Sequence, residues 1–310
     1  AWGLFSGQRN SSLCGRSYLN VGHTGLNKPG HTDWIARSGV KPIYFVHDLI
    51  PLTHPEYCRP GEPEKHLRRM QALLRNGVGI IGNSRDTLNE LSIFSGLQKA
   101  ISLPPIIVAP LGVDMGSQEG AERVESRMPG RPYFVMVGTI EGRKNHLFIL
   151  NLWAAMARRL GAACPQLVII GKRGWECEQA VDMLERCEAI RRHVIEVPRC
   201  DDALLRAYVQ GARALLFPSF VEGYGLPLVE ALACGTPVIA SDLNVFRELA
   251  GSIPEYFSPI DGIGWAGAIE DYAEERSQAR SAQLSRMSGW QPPSWDRHFA
   301  KVDQWLTQFS

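Results

Sequence analysis

At 310 residues the chain has room for about two domains of roughly 150 residues, each able to bury a core. Hydrophobic residues at 45% and charged residues at 21% exclude a disordered chain. The 33 Lys and Arg against 32 Asp and Glu leave a net charge of +1, which excludes a global field for nucleic acid or anionic lipid. Any anion must therefore be held by a local site. Seven cysteines, an odd and scattered set with no C-x-x-C pair, favour a reduced cytoplasmic protein over a disulfide scaffold or a zinc module. No apolar run approaches the ~18 residues of a membrane span, which leaves peripheral attachment at the inner membrane face as the expected form of any membrane contact. The opening Ala1-Trp2-Gly3-Leu4 has neither the basic nor the apolar region of a signal peptide.

Short apolar runs ended by Gly, Pro or Asp alternate with helical patterns from about residue 18, which predicts β-α-β units around a largely parallel sheet. The first strands are expected at 17–21, 42–47, 78–82 and 106–109, with helices at 62–75, where Pro63 suits a first turn, and 85–95, with Ser84 as N-cap. A polar, Gly-rich stretch at 113–130 reads as a linker. The alternation then resumes with strands at 133–138, 167–171, 194–197, 214–217 and 237–241 and helices at 145–160, 175–186, 202–212 and 226–233. The domains expected are thus 1–112, linker 113–130, 131–289, and a terminal amphipathic helix in 290–310 with Trp295, Phe299, Val302 and Leu306 on one stripe.

The most informative segment runs from Phe217 to Asp242. A strand ends at Phe217, a loop carries Glu222 and two glycines, and a helix starts near Leu226 with Pro227 in its first turn. Gly223 and Gly225 let backbone approach a ligand, and the unsatisfied N–H groups of the helix start carry about half a positive charge. Glu230, about 6 Å further along the helix axis, can accept hydrogen bonds from hydroxyls beside a phosphate, such as those of a ribose. A second anion feature is Val137-Gly138-Thr139-Ile140-Glu141-Gly142-Arg143-Lys144-Asn145, where two cations precede a helix whose expected N-cap is Asn145. Arg143 can grip a diphosphate in bidentate fashion while Lys144 acts as a point charge.

Glu222 and Glu230, separated by seven residues in E-G-Y-G-L-P-L-V-E and followed by G-T-P-V-I-A-S-D, resemble the paired-glutamate signature of retaining glycosyltransferase family 4. V-G-T-I-E-G-R-K-N resembles that family's phosphate loop, N-S-R-D-T at 83–87 its N-S-x-x-T turn, and L-N-V-G-H-T-G-L with H-D-L-I-P is most similar to bacterial polysaccharide mannosyltransferase-like members. The resemblance implies the GT-B fold, two Rossmann-like parallel-sheet domains. It also implies transfer of a hexose, mannose favoured, from a nucleotide-diphosphate sugar, GDP-mannose favoured, to a glycan or lipid-linked glycan, with no cofactor and no metal. It assigns Glu230 to the ribose. The diphosphate falls to Arg143 and Lys144 beside Gly138 and Thr139, and the donor sugar to Glu222 with Gly223, Tyr224, Gly225 and Leu226. Arg199, after the strand 194–197 where the family holds the base, is a candidate base or donor neighbour. His47, at the end of the strand 42–47, is assigned to the transferred sugar. The family opens with further β-α units, so the first domain is expected to be N-terminally shortened. A donor-binding module or a same-fold nucleotide-sugar epimerase is the competing reading.

Some residues carry blander readings. Asp201-Asp202 suggests a metal pair but precedes a helix, where N-capping explains it. Lys172 and Arg173 are candidate donor neighbours, and His23 is divided between a turn residue and an acceptor-side residue.

Overall fold

The computed structural model describes residues 13–98, 103–114 and 129–309. The chain divides into two compact units, Ala1–Gly112 with Pro293–Ser310, and Val113–Pro292. Most of the expected linker, 115–128, lies outside the described residues.

The first unit holds β1 (Ser17–Asn20), α1 (Pro29–Ser38), β2 (Lys41–Val46), α2 (Ile50–Thr53), α3 (Glu62–Asn76), β3 (Gly79–Gly82), α4 (Arg85–Leu97) and β4 (Ile106–Val108). Its four strands are parallel in the order β1-β2-β3-β4. Side chains alternate along β2, so Tyr44 and Val46 join Met70 and Leu73 of α3 and Leu88 and Leu91 of α4 on one face, while Ile43 and Phe45 face the other way. That other face is covered from the end of the chain. Val302, Trp305, Leu306 and Phe309 pack there against Ile43, Phe45, Ile81 and Ala109. Ser84 caps α4 by accepting from Thr87 N at 3.0 Å, as expected from its position before the helix.

The second unit continues with β5 (Tyr133–Val137), α5 (His146–Leu160), β6 (Gln166–Ile170), α6 (Glu178–Arg186), β7 (Val194–Val197), α7 (Asp202–Gly211), β8 (Leu215–Phe217), α8 (Leu226–Ala233), β9 (Val238–Ser241), α9 (Asn244–Ala250), β10 (Glu255–Phe257), α10 (Gly262–Ala273) and α11 (Gln278–Met287). The chain then ends in α12 (Trp295–Leu306), within the first unit. The six parallel strands follow the order β10-β9-β8-β5-β6-β7, the doubly wound arrangement that reverses direction between β5 and β8. Its core is built on Trp153 and Trp265, both fully buried, with Phe134, Ile149, Leu167 and Ile169.

Every strand expected from the sequence is present, with ends shifted by at most one residue. Four features differ. β10 adds a three-residue, half-buried edge strand beyond β9. The helix expected from 175 begins at Glu178, because Glu176 adopts a left-handed φ of 50° that an α-helix cannot contain. α1, α2 and α9 to α11 are not among the elements expected from the sequence, although α10 carries Trp265, Ile269 and Tyr272 at helical spacing, all buried in the core. In α12 the buried stripe is His298 and Val302 with Trp305 and Leu306 beside it, while Trp295 and Phe299 are exposed at 39% and 55% and stack on each other. No helix among the described residues is long and apolar enough to cross a membrane.

Candidate active site

In a doubly wound sheet, the loops leaving two adjacent strands at the reversal diverge and leave a crevice at the strands' C-terminal ends. Here those strands are β5 and β8, paired through Val135 and Leu215. Their loops carry the two motifs singled out in the sequence, 138–145 and 218–225, and they meet.

Glu222 is the centre of the contact. Lys144 Nζ donates to its Oε1 at 2.5 Å, Arg143 Nη1 to its Oε2 at 2.9 Å, and Ser219 Oγ to its Oε1 at 2.7 Å. Arg143 is held from the other side by Glu141, Nε to Oε1 at 2.7 Å. The lysine ammonium also lies 5.0 Å from the centre of the Phe217 ring. The Glu222 side chain is 7% exposed and that of Lys144 11%. Burial alone would raise the Glu222 carboxyl, but Lys144 and Arg143 overcome it and hold it below the usual carboxylate range. Burial pushes the Lys144 ammonium down, opposed by Glu222. Two cations thus face two buried carboxylates, Glu141 and Glu222, and a diphosphate that displaced Glu222 from them would meet both cations without desolvating a new one.

The backbone fixes this geometry. Phe220 N donates to Arg143 O at 2.9 Å. Asn145, expected to cap α5 with its side chain, makes no cap hydrogen bond. It sits at a left-handed φ of 60° and spans from Pro218 O (3.1 Å) to Pro259 O (2.8 Å), tying the loops after β5, β8 and β10 together. A Cβ on Gly171 would collide with the Gly138 carbonyl, so the loops after β5 and β6 can touch only because that residue is glycine. Gly225 caps α8 at φ 113°, and a Cβ there would come within 2.7 Å of Phe246.

The remaining predicted residues fall into place unevenly. Glu230 lies one turn into α8, half-buried and with no hydrogen bond or ion pair to its carboxylate among the described residues; burial, with Asp202 adding to it, raises its pKa. Thr139 is exposed at the same loop as Gly138, and Gly223 and Leu226 are accessible beside Glu222, whereas the Tyr224 side chain is buried and offers the loop only its backbone. Arg199 is exposed after β7. His47 belongs to the first unit, at the end of β2, where its Nε2 meets Val21 O at 2.7 Å. Arg173 is committed to Glu196 and Glu185, which removes it as a free donor contact. Asp201 caps α7 through Leu204 N at 2.8 Å, and no cluster of metal-ligating side chains occurs among the described residues. The sequence reading missed Glu141 and Ser219, although each sits within three residues of the ion it orients.

Behind the loop, a cavity of about 450 Å³ is lined by Glu141, His146, Cys177, Gln179 and Phe220. Burial, with Lys144 adding to it, pushes the His146 imidazole down to about 4. Between that value and the ordinary 6.5 the unfolded chain binds a proton that the folded chain does not, so this contribution is complete above 6.5 and is lost as pH falls towards 4. The expected loss between pH 7 and pH 5 is about 2 kcal/mol from this residue. Urea midpoints at the two pH values should show that drop, and His146→Leu should show it reduced by the same amount. An unchanged drop in the variant would contradict the assignment.

Two parallel-sheet α/β units with a cation pair at the reversal of the second sheet define the GT-B class of fold. The sequence pattern described as glycosyl transferases group 1 matches residues 118–253. The chain is 31% identical over 268 residues to the O-antigen chain mannosyltransferase B of Escherichia coli, covering 81% of this chain and 67% of that protein. It is 27% identical over 271 residues to the serotype-specific mannosyltransferase WbdA of Escherichia coli, covering 82% of this chain and 32% of that protein, so it spans about a third of that relative. Among solved structures, a UDP-forming alpha,alpha-trehalose-phosphate synthase from Burkholderia xenovorans superposes with a TM-score of 0.72 at 14% identity, covering 94% of this chain and 73% of that one, which shows the fold alone. The chain belongs to the glycosyl transferases group 1 family.

Proposed function

We propose that the chain is a retaining, metal-independent hexosyltransferase of bacterial polysaccharide synthesis, taking a nucleotide-diphosphate sugar as donor, with GDP-mannose favoured, and a glycan or lipid-linked glycan as acceptor. The observation that carries this reading is the convergence of Arg143 and Lys144 on Glu222 at the β5–β8 reversal. Charge develops on the diphosphate as the glycosidic bond breaks, and preorganised cations in a half-buried site stabilise that charge more in the transition state than in the bound donor. In the proposed cycle the diphosphate takes over Arg143 and Lys144, freeing Glu222 for sugar hydroxyls. The departing phosphate accepts the proton of the incoming hydroxyl on the same face, so no strong side-chain base is required.

The mannosyltransferase names of the two relatives support the choice of sugar. The test is incubation with labelled GDP-mannose and a mannan acceptor, with and without EDTA, followed by NMR of the product's anomeric carbon. A retained α-linkage formed equally well in EDTA is expected. Binding without turnover would favour a donor-binding module, and a changed sugar nucleotide an epimerase. Glu230→Ala should weaken GDP binding by about 1.5 to 3 kcal/mol, the range for a hydrogen bond to a charged group, and unchanged affinity by calorimetry would remove Glu230 from the ribose.

A further inference from the structure

The cavity behind the loop after β5 is large enough for a small molecule and lies apart from the diphosphate residues. None of Arg143, Lys144, Glu222 and Glu230 lines it. Its walls come from the starts of α5 and α6 and from Phe220, and those two helices pack with α10 in a core that includes no residue of α7 or α8. The doubly wound order places α8, and Glu230 with it, on the opposite face of the sheet. His146 marks the cavity as built for a guest. It is 3% exposed, it belongs to the wall, and neither Nδ1 nor Nε2 makes a hydrogen bond. The Glu141 backbone carbonyl favours a proton on the ring without completing a bond to it. A buried imidazole with both nitrogens unused is rare in a native protein, and only a molecule inside the cavity can reach a ring so shielded from bulk solvent.

The charge on the lining decides what that molecule is. Three carboxylates, Glu141, Glu176 and Glu178, line the cavity, and no Lys or Arg does. The nearby cations Arg143 and Lys144 are balanced by Glu141 and Glu222. Glu176 and Glu178 are exposed, and their carboxylates have no ion pair among the described residues. The starts of α5 and α6 return about half a positive charge each, which leaves about one negative charge over. An anion would meet carboxylates, and a neutral molecule would leave that charge unmet. No set of side chains among the described residues could hold a metal ion. An organic ammonium supplies the missing charge, donates to a carboxylate and to the lone pair of the neutral His146 ring, and can rest its carbon chain on Phe220 and Leu147. A hydroxyl on the same molecule can accept the proton of the other ring nitrogen.

We infer that this cavity binds a small organic ammonium carrying a hydroxyl group, and that the bound cation tightens the diphosphate site. The link is Glu141, which lines the cavity and holds Arg143 Nε at 2.7 Å. An ammonium that shares the Glu141 carboxylate loosens its hold on Arg143 and adds positive charge behind the loop, and both changes favour an anion on the other side of it. By reciprocity the anion tightens the ammonium by the same factor. The coupling rests on the diphosphate reading above, whereas the ammonium site does not.

The test uses the full 15N-labelled chain and three probes with the same carbon chain: 4-amino-1-butanol, 1,4-butanediol and 4-hydroxybutanoate, a cation, a neutral molecule and an anion. At pH 7 the amino alcohol should shift the His146 imidazole resonances, identified by their loss in His146→Leu, and the other two probes should leave them in place. The double variant Glu176→Gln/Glu178→Gln, at exposed positions outside the diphosphate site, should fold as the parent does and bind the amino alcohol about tenfold more weakly. Calorimetry with GDP at matched ionic strength should give a Kd about fivefold tighter with the amino alcohol present, the lower end of coupling between two sites, and no such gain in the double variant. No response of His146 to the amino alcohol, an equal response to the diol, or parental affinity in the double variant would overturn the ammonium site. An unchanged or weaker GDP affinity in the parent, or a gain that persists in the double variant, would overturn the coupling. A parent that binds the amino alcohol and not GDP would uphold the ammonium site while removing the diphosphate reading and the coupling with it.

Discussion

Glu222→Ala should destabilise the second unit by about 3 to 5 kcal/mol, the cost of removing one partner from a buried ion pair. Lys144 has an 11% exposed side chain, and its ammonium is already disfavoured by burial. In the variant it keeps the desolvation cost and loses the carboxylate that offsets it. Arg143 retains Glu141, so the damage falls chiefly on the lysine. Glu222→Gln, which keeps the hydrogen-bonding shape without the charge, should lose less. The variant has a second expected property: GDP brings anionic oxygens to the stranded cations, so it should raise the variant's melting temperature more than that of the parent. Urea midpoints measure the first effect and thermal shift the second. A variant as stable as the parent, with an unchanged response to GDP, would show that the carboxylate is not the counter-ion of this pair.

Lys144→Ala is expected to act on the opposite quantity. Glu222 keeps Arg143 at 2.9 Å and the Ser219 hydroxyl at 2.7 Å, so no charge is stranded and the fold should lose little. Under the proposed function, the variant lacks the cation that meets developing charge on the leaving diphosphate, and turnover should fall about 10²- to 10³-fold, equivalent to roughly 2.7 to 4 kcal/mol of transition-state stabilisation. Steady-state kinetics with saturating donor, read beside the urea midpoint, separates the two effects. Turnover within a few-fold of the parent would take Lys144 out of the reaction.

The donor side proposed for this protein is legible in one dimension because its chemistry is local. Arg143 and Lys144 are neighbours, Glu222 and Glu230 share one loop and helix start, and strand ends are marked by glycine or proline at each place. What orients these groups is less legible. Asn145 looks like a helix cap, but its amide spans residues 73 and 114 positions away, a partnership no local pattern encodes. The stripe read on α12, Trp295, Phe299, Val302 and Leu306, is half right for a similar reason, since packing against Ile43 and Phe45 of β2 decides which helix face is buried. β10 is three residues long and owes its strand character to pairing with β9.

The central claim is that the β5–β8 reversal is a diphosphate site made by Arg143 and Lys144. Calorimetric titration of GDP into the parent chain and into the Arg143→Ala/Lys144→Ala double variant tests it most directly. Two charge-assisted contacts at about 1.5 to 3 kcal/mol each predict at least a 100-fold weaker Kd in the variant. Equal affinities in the two proteins would contradict the account.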